Sequence, residues 1–510
     1  MRTIAGMTLA VILAVGPSAL GAPPSAPARG GTLTVGLAGN WRTLDPAIYR
    51  VVYERELLHN IFDTLVEIDP SLGLHPGLAK SWSVSADGKT ITMRLQEGVL
   101  FHDGTKFDAA AVKFNLEHIL DPKVASVSRE LFLPVLDRIE ATGPLEVRLV
   151  LKQPFTPLLG LLAGVPGMMS SPAAVARAGA EYGQNPVGTG AFRVVEWQPG
   201  ALLHLRAVDK YWRSGLPYLT DLIVKPIADD TTRLSSLRAG TIDVTDRLAY
   251  KDYATAAQDA SVRPIAIKAS RWDFVGVNLH KAPFDNVHAR RAFEYAVNRD
   301  QILQAVFFGH GGPLYGPVSP LFTTYYDAAV KQYGYQLSPA KVKEELAMAG
   351  RPGGVSFELS VPNSPEQIRL AELIKAQLAD VGIVANIQVY ENTIWTANVE
   401  RGAFVAWLSN WTARADIDGV LYDHFASDGP RNRYGYANPR VDELLRVERS
   451  VPHGPRRVQA VHELEKLVIS DAPWIFLTYS DTVMAMRARV NGLQPFADTM
   501  PRFRGVWVAR

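Results

Sequence analysis

A strand–helix–strand pattern within residues 355–411 constrains the fold more than any other feature of the chain. VSFELSV (355–361) and IVANIQVY (383–390) have the composition of β-strands, and Ser364 and Gly382 predict where the helix between them begins and ends. That helix carries one apolar stripe, formed by Leu370, Ile374, Leu378 and Val381. Two strands joined by a helix indicate a parallel sheet that is buried on both faces, so we predict an α/β fold.

A charged loop follows the next predicted strand, AFVAWLSNW (403–411), and contains Arg414, Asp416 and Asp418. In sheets of this kind, ligands bind beyond the carboxyl ends of the strands. An arginine fork suits a carboxylate, and the two aspartates suit an amine or another cation. We therefore predict a ligand site here. The alternative is an internal ion pair between Arg414 and Asp416 or Asp418 that shapes the loop.

Five further residues are candidates for the walls of the same site, because they lie at or near the ends of predicted strands. Trp411 offers an apolar or cation–π wall, with packing in the core as the alternative. Tyr390, Asn40 and Trp41 are weaker candidates, and Asn410 is weaker still.

Length and composition limit the class of protein. A chain of 510 residues is too long for one core, so we expect two or three domains. The net charge of +2 gives no reason to expect a nucleic acid or a membrane surface as partner. The chain has no cysteine, so it forms no disulfides and carries no lipid anchor on an N-terminal cysteine.

The first residues have the pattern of a secretory signal peptide. Arg2 precedes an apolar stretch that is too short to span a bilayer, and Ala19 and Gly21 are the small residues expected before a cleavage site. We predict a signal peptide at residues 1–21 and a linker at 22–30, with a buried first helix as the alternative. Together with the absence of cysteine, this favours the periplasm.

The chain shows no signature of catalysis or of a bound metal. His462 and Glu463 resemble the start of the HExxH motif of zinc proteases, but Lys466 occupies the position of the second histidine. The glycines at 188 and 190 lack the third glycine of a dinucleotide-binding loop. We predict no enzyme activity, no metal site and no cofactor.

Several segments in order resemble the family 5 extracytoplasmic solute-binding proteins, the dipeptide, oligopeptide and nickel receptors of ABC importers. The most specific is LAKSWSVSADGKTITMRLQEGVLFHDGTKFDAAAVKFNLEHI (78–119). The others are PVGTGAF (186–192), LRAGTIDV (237–244), VGVNLHKAPFDNVHARRAFEYAVNR (275–299) and APWIFLTY (472–479). The resemblance covers essentially the whole chain after the predicted signal peptide.

The resemblance implies a two-lobed periplasmic-binding-protein fold of the cluster C type, with an extra domain inserted in the first lobe. The implied divisions are lobe I at 31–69, 185–272 and 488–510, the inserted domain II at 70–184, and lobe III at 273–487.

The resemblance also implies a function and sharpens the prediction for Arg414. In peptide-binding members, an aspartate at this position receives the free amino group of the peptide, whereas here the charge is inverted. We expect a monomeric periplasmic receptor that delivers a small carboxylate-bearing solute (a short or modified peptide, an opine or an amino-acid conjugate) to an ABC permease and ATPase complex in the inner membrane. The alternatives are a nickel or metal-chelate receptor and a periplasmic hydrolase or chaperone.

Overall fold

The computed structural model describes residues 27–412 and 414–509. The predicted signal peptide and residues 22–26 of the predicted linker lie outside the described residues. No helix within the described part of the chain is both long and apolar enough to cross a membrane.

The strands and helices alternate along much of the chain, as expected for an α/β protein. The strands are β1 (Thr32–Leu37), β2 (Val66–Ile68), β3 (Leu74–Pro76), β4 (Ala79–Val84), β5 (Thr90–Leu95), β6 (Leu136–Gly143), β7 (Glu146–Leu151), β8 (Phe192–Gln198), β9 (Leu202–Ala207), β10 (Asp221–Pro226), β11 (Val244–Thr245), β12 (Val262–Val277), β13 (Gly311–Pro313), β14 (Val355–Pro362), β15 (Ile383–Tyr390), β16 (Ala406–Thr412), β17 (Trp474–Arg487), β18 (Val490–Asn491) and β19 (Trp507–Val508). The α-helices are α1 (Val52–Ile61), α2 (Ala109–Leu120), α3 (Arg129–Phe132), α4 (Leu158–Leu161), α5 (Pro172–Ala178), α6 (Asp230–Ala239), α7 (Tyr253–Ala257), α8 (Val287–Ala296), α9 (Arg299–Ala305), α10 (Val330–Tyr333), α11 (Pro339–Met348), α12 (Pro365–Ala379), α13 (Asn392–Glu400), α14 (Asp418–Phe425), α15 (Pro439–Ser450) and α16 (Pro455–Asp471).

One large mixed sheet organises the molecule. Its strands follow the order β15-β14-β16-β12-β17-β11-β1-β10-β9-β8, and β13 also pairs with β17. The longest strands, β12 and β17, lie at its centre and pair antiparallel. The second half of β12 pairs with β16, and the second half of β17 pairs with β11. Both strands therefore contribute to both halves of the sheet and connect them.

The predicted strand–helix–strand unit is confirmed. β14 pairs parallel with β15 and also with β16. On α12, Leu370, Ile374 and Leu378 are fully buried beneath this sheet, as the apolar stripe predicted. The carboxyl end of β16 leads directly into the charged loop that begins after Thr412.

A separate four-stranded antiparallel sheet, ordered β4-β5-β7-β6, lies between residues 79 and 151. It contains the hairpin that the Asp87-Gly88 turn indicates, and Trp82 pairs with Met93 in it. This sheet falls within the segment assigned to the inserted domain, and the bounds of that domain and of the two lobes stay a prediction.

Candidate functional site

A cavity of about 850 Å³ lies at the end of β16. Its walls come from α1 and the turn before it, the segments 125–131 and 157–166, α13, β16 and the loop after it, α14 and the segment 430–434. This volume is typical of sites that enclose a small organic ligand. The walls thus combine segments that are distant in sequence.

One side of the cavity is aromatic. Phe274 stacks on Trp474 at 3.6 Å between ring centroids, and His424 meets Trp474 edge-on at 4.6 Å. Trp411 in turn meets His424 edge-on at 4.8 Å. Burial holds the pKa of His424 well below its usual range, so the ring is neutral at pH 7. Its Nε2 has no hydrogen-bond partner among the described residues, and neither does Nε1 of Trp395 in the same wall. Both ring nitrogens are buried in the wall of the cavity.

Two guanidinium groups lie against Trp411 and share one carboxylate. The guanidinium carbons of Arg414 and Arg431 lie 4.9 and 4.6 Å from the centre of the indole ring. Asp423 Oδ2 is 3.5 Å from Arg414 Nη1 and 3.9 Å from Arg431 Nε. Burial raises the pKa of Asp423, while the two arginines oppose that shift. This part of the cavity therefore carries more positive than negative charge.

The partner of Arg414 differs from the one considered in the sequence analysis. The internal ion pair proposed there was with Asp416 or Asp418, but the structure pairs Arg414 with Asp423 on α14. The reason is that Asp416 and Asp418 are already engaged by other arginines.

Asp416 forms a two-pronged ion pair with Arg457 of α16. Arg457 Nη2 donates to Asp416 Oδ1 at 2.6 Å, and Nη1 donates to Oδ2 at 3.1 Å. Arg457 is fully buried and also pairs with the fully buried Glu448. Asp416 Oδ1 in addition accepts a hydrogen bond from the backbone N–H of Asp418. These bonds tie the loop to α15 and α16.

Asp418 forms an ion pair with Arg449 of α15, without the hydrogen bonds that join Asp416 to Arg457. Arg449 Nε lies 3.0 Å from Asp418 Oδ1, and its guanidinium lies 3.5 Å above the ring of Tyr422. Burial raises the pKa of Asp418 to about 7, and the neighbouring arginine opposes that shift. Asp416 and Asp418 line the cavity, yet each already has an arginine of its own.

The remaining candidates divide between the cavity and other places. Trp411 and Asn410 line the cavity, whereas Tyr390, Asn40 and Trp41 do not. Tyr390 ends β15, which β14 separates from β16, and its hydroxyl donates to Glu358 at 3.1 Å.

Trp41 and Asn40 have local roles near β1. Trp41 is 2% exposed and packs in the core around that strand, so its ring is not available as a cavity wall. The side chain of Asn40 accepts a hydrogen bond from the backbone N–H of Trp41.

Several cavity residues were not predicted from the sequence. The most important are charged residues on α1, on α14 and after it, namely Arg55, Asp423 and Arg431. The only sequence signal for Asp423 and Arg431 was that they follow the charged loop. Arg55 belongs to a short helix early in the chain, and nothing in its sequence indicates a role in binding.

A metal centre is not found in the part of the chain that the structure describes. No three histidine, aspartate or glutamate side chains there lie close enough to hold a metal ion together. The polar groups of the cavity are instead guanidinium groups, paired carboxylates and ring nitrogens.

Comparison with known proteins places this cavity in a family. Residues 73–432 match the family described as bacterial extracellular solute-binding proteins, family 5. The chain is 30% identical over 478 residues to the glutathione-binding protein GsiB of Escherichia coli O1:K1, which covers 92% of each chain.

Solved structures give the same result. The periplasmic binding protein DppA of Helicobacter pylori, in complex with the peptide STSA, matches with a TM-score of 0.86 and 25% identity over 95% of this chain and 99% of that one. The binding protein AgaA of A. tumefaciens R10, in complex with agropinic acid, matches with a TM-score of 0.84 and 25% identity over 94% and 99%. The fold is therefore the α/β, two-lobed one of periplasmic binding proteins. The chain belongs to the family 5 bacterial extracellular solute-binding proteins, and its function is to bind a small solute for an ABC importer.

Proposed function

We propose that this protein binds a carboxylate-bearing solute, such as a short or modified peptide, an opine or an amino-acid conjugate, and that Arg414 receives the carboxylate. The observation that carries the proposal is the sharing of one carboxylate, Asp423, by the guanidinium groups of Arg414 and Arg431. An anionic group of a ligand would complete the charge balance there. Charge-assisted bonds to a planar guanidinium also fix the orientation of a carboxylate.

The names of the relatives agree with this class of ligand. One is named for glutathione, and others were solved with a peptide or with an opine acid. All three kinds of compound carry at least one carboxylate. The aromatic wall around Trp411 would cover the less polar part of such a solute.

The proposed function includes export of the protein to the periplasm. Cleavage after the predicted signal peptide, residues 1–21, would release a soluble monomer into the periplasm. The chain has no cysteine through which a lipid could be attached. Binding needs no cofactor and no chemical step. A ligand that contacts α1 and the loop after β16 together favours the conformation in which both are close, and that conformation would dock on the permease.

The first experiment identifies the ligand and then removes Arg414. Native mass spectrometry of the protein expressed from Ala22 onward would detect a retained small molecule, and fragmentation would identify it. We expect a compound with a free carboxylate. Titration calorimetry with that compound should then show that Arg414→Ala weakens binding by about 2–5 kcal/mol.

The control is Arg440→Ala, because Arg440 is an exposed arginine on α15 that pairs with the exposed Glu463 away from the cavity. It should leave affinity unchanged. A retained metal complex without a carboxylate, or an Arg414→Ala variant with wild-type affinity, would contradict the proposal. Turnover of a retained peptide by the pure protein would favour a hydrolase instead.

A further inference from the structure

A third arginine, Arg55 on α1, lines the same cavity and forms no ion pair. Among the described residues, no carboxylate oxygen lies within 4.0 Å of its guanidinium group. Burial lowers the pKa of Arg55 and the guanidinium of Arg414 lowers it further, while Tyr49 and the more distant carboxylates of Asp498 and Glu56 oppose that shift. The two arginines therefore repel each other across the cavity.

The carboxylates nearest to Arg55 are engaged elsewhere. Glu56, its neighbour on α1, lies 3.4 Å from Arg247. Asp498, which also lines the cavity, is 2.8 Å from Arg502. Neither carboxylate forms an ion pair with Arg55, so neither balances its charge at close range.

Glu54, in the first turn of α1, is also engaged in hydrogen bonds and forms no ion pair with Arg55. Its buried carboxylate accepts hydrogen bonds from four backbone N–H groups in the segments 42–43 and 50–51. It thereby fixes the turn that precedes α1 and the start of the helix. This rigid support holds α1, and with it Arg55, at the cavity wall.

The other charges of the wall do not change this balance. Asp416 and Asp418 each lie against an arginine that is outside the cavity lining. Glu130 and Glu400 are exposed to solvent, as are Arg50, Arg431 and Arg433, so Arg55 and Arg414 are the less exposed arginines of the wall. Charges exposed to water are screened and interact weakly with a ligand inside. Among the described residues, Arg414 and Arg431 thus share Asp423, while Arg55 has no carboxylate within 4.0 Å.

We infer that the ligand carries two carboxylates, one held by Arg414 and Arg431 and the second by Arg55. This inference rests on the proposed function and narrows it from a carboxylate to a dicarboxylate. A monocarboxylate would leave one guanidinium group unpaired inside the cavity, which is unfavourable. A cavity of about 850 Å³ has room for a peptide-sized compound with an acidic group at each end.

The test combines probes that differ by one charge with variants that differ by one charge. The probes are glutathione and N-acetylated dipeptides that begin with glutamate and end in a neutral residue, each with its two singly amidated forms. The variants are Arg55→Gln and Arg414→Gln, with Arg440→Gln as the exposed control. Thermal shift at millimolar concentration selects a probe that binds, and calorimetry then measures its affinity for each variant.

We expect the dicarboxylate form to bind wild type at least about 30-fold more tightly than either amidated form. Arg55→Gln should weaken binding of the dicarboxylate by a similar factor. It should scarcely affect the one amidated form that already lacks the carboxylate held by Arg55. Arg414→Gln should show the same pattern with the other amidated form.

The two proposals fail in different ways. If Arg55→Gln leaves the affinity of every probe unchanged while Arg414→Gln weakens it, the ligand is a monocarboxylate and only the present inference is lost. If Arg414→Gln also has no effect, the proposed function is lost as well. Failure of every dicarboxylate probe to stabilise the wild type overturns the inference too.

A ligand-free measurement tests Arg55 independently. Since Arg55 forms no ion pair and is repelled by Arg414, Arg55→Gln should unfold at the same temperature as wild type or higher. A lower melting temperature would show that Arg55 supports the fold, which contradicts its assignment to the ligand.

Discussion

The loop after β16 carries charges with two different surroundings: aspartates that pair with arginines of neighbouring helices, and an arginine that faces the cavity. The inward pairs, Asp416 with Arg457 and Asp418 with Arg449, join the loop to α15 and α16. Arg414, on the same loop, faces the cavity and has only a share in Asp423. In the inward pairs each aspartate has an arginine of its own, whereas on the cavity side two arginines share one aspartate.

The difference shows how one short loop serves two purposes. A buried charge is unfavourable unless it is paired, so balanced pairs fix a loop in place. An excess of one charge in a cavity is relieved when a ligand of the opposite charge binds. The comparison predicts that changes to the inward pairs affect stability first and that changes on the cavity side affect affinity first.

The largest effect is expected for Arg457→Met. This change leaves Asp416 and the fully buried Glu448 without their shared cation, so the free energy of unfolding should fall by about 3–5 kcal/mol. Urea denaturation followed by fluorescence would measure the loss. The exposed pair of Arg440 and Glu463 provides the control, because Arg440→Ala should change stability by less than about 1 kcal/mol. An equal effect of the two substitutions would remove the distinction between inward and exposed pairs.

A smaller effect, with a defined pH dependence, is expected at Asp418. Burial raises its pKa to about 7 in the folded protein, against 3.8 ordinarily. Between these values the folded protein holds a proton on Asp418 that the unfolded chain releases. This contribution to stability is complete below about pH 4 and is lost as the pH rises through about 7.

The variant Asp418→Asn cannot make this gain. Lowering the pH from about 8 to about 5 should stabilise wild type relative to the variant, by at most about 3 kcal/mol. Other buried acids such as Glu56 also titrate in this range, but they are present in both proteins and cancel in the difference. Urea midpoints at several pH values would measure it. Asp380→Asn, at an exposed position, should keep the wild-type profile, and the same profile for Asp418→Asn would count against a raised pKa at that residue.

The local parts of this arrangement are predictable from the sequence. The apolar stripe of α12 and its flanking strands predicted the parallel unit, and that unit placed the charged loop at a strand end. Periodicity and turn residues act over short distances, so one sequence contains enough information to locate them.

The partner of each charge is not predictable in this way. Asp416 and Asp418 pair with arginines on two later helices, and Arg55 reaches the cavity from α1, far earlier in the chain. Such contacts depend on the packing of the whole molecule. Trp41 illustrates the same limit, because a tryptophan near a strand end can equally well pack in the core, as it does here.

The smallest effects are expected at two aromatic rings, Trp411 and Tyr422, which contact arginines of the cavity and of the inward pairs respectively. Trp411 supports Arg414 and Arg431 in the cavity, whereas Tyr422 supports Arg449 behind the loop and does not line the cavity. A cation–π contact contributes about 0.5–2 kcal/mol. Trp411→Leu should therefore weaken ligand binding by about 2- to 30-fold, because the guanidinium groups lose the surface that orients them.

Tyr422→Leu should instead affect stability: the free energy of unfolding should fall by about 0.5–2 kcal/mol, with little change in affinity for the ligand. Tyr422→Phe keeps the ring and loses only the hydrogen bond to Asp428, so it separates the two contributions of the tyrosine. Calorimetry and urea denaturation on all three variants would measure both quantities. If Tyr422→Leu lowered affinity as much as Trp411→Leu, the inward pairs would be part of the ligand site. The positions of Arg449 and Asp418 would then control how Arg414 contacts the carboxylate of the ligand.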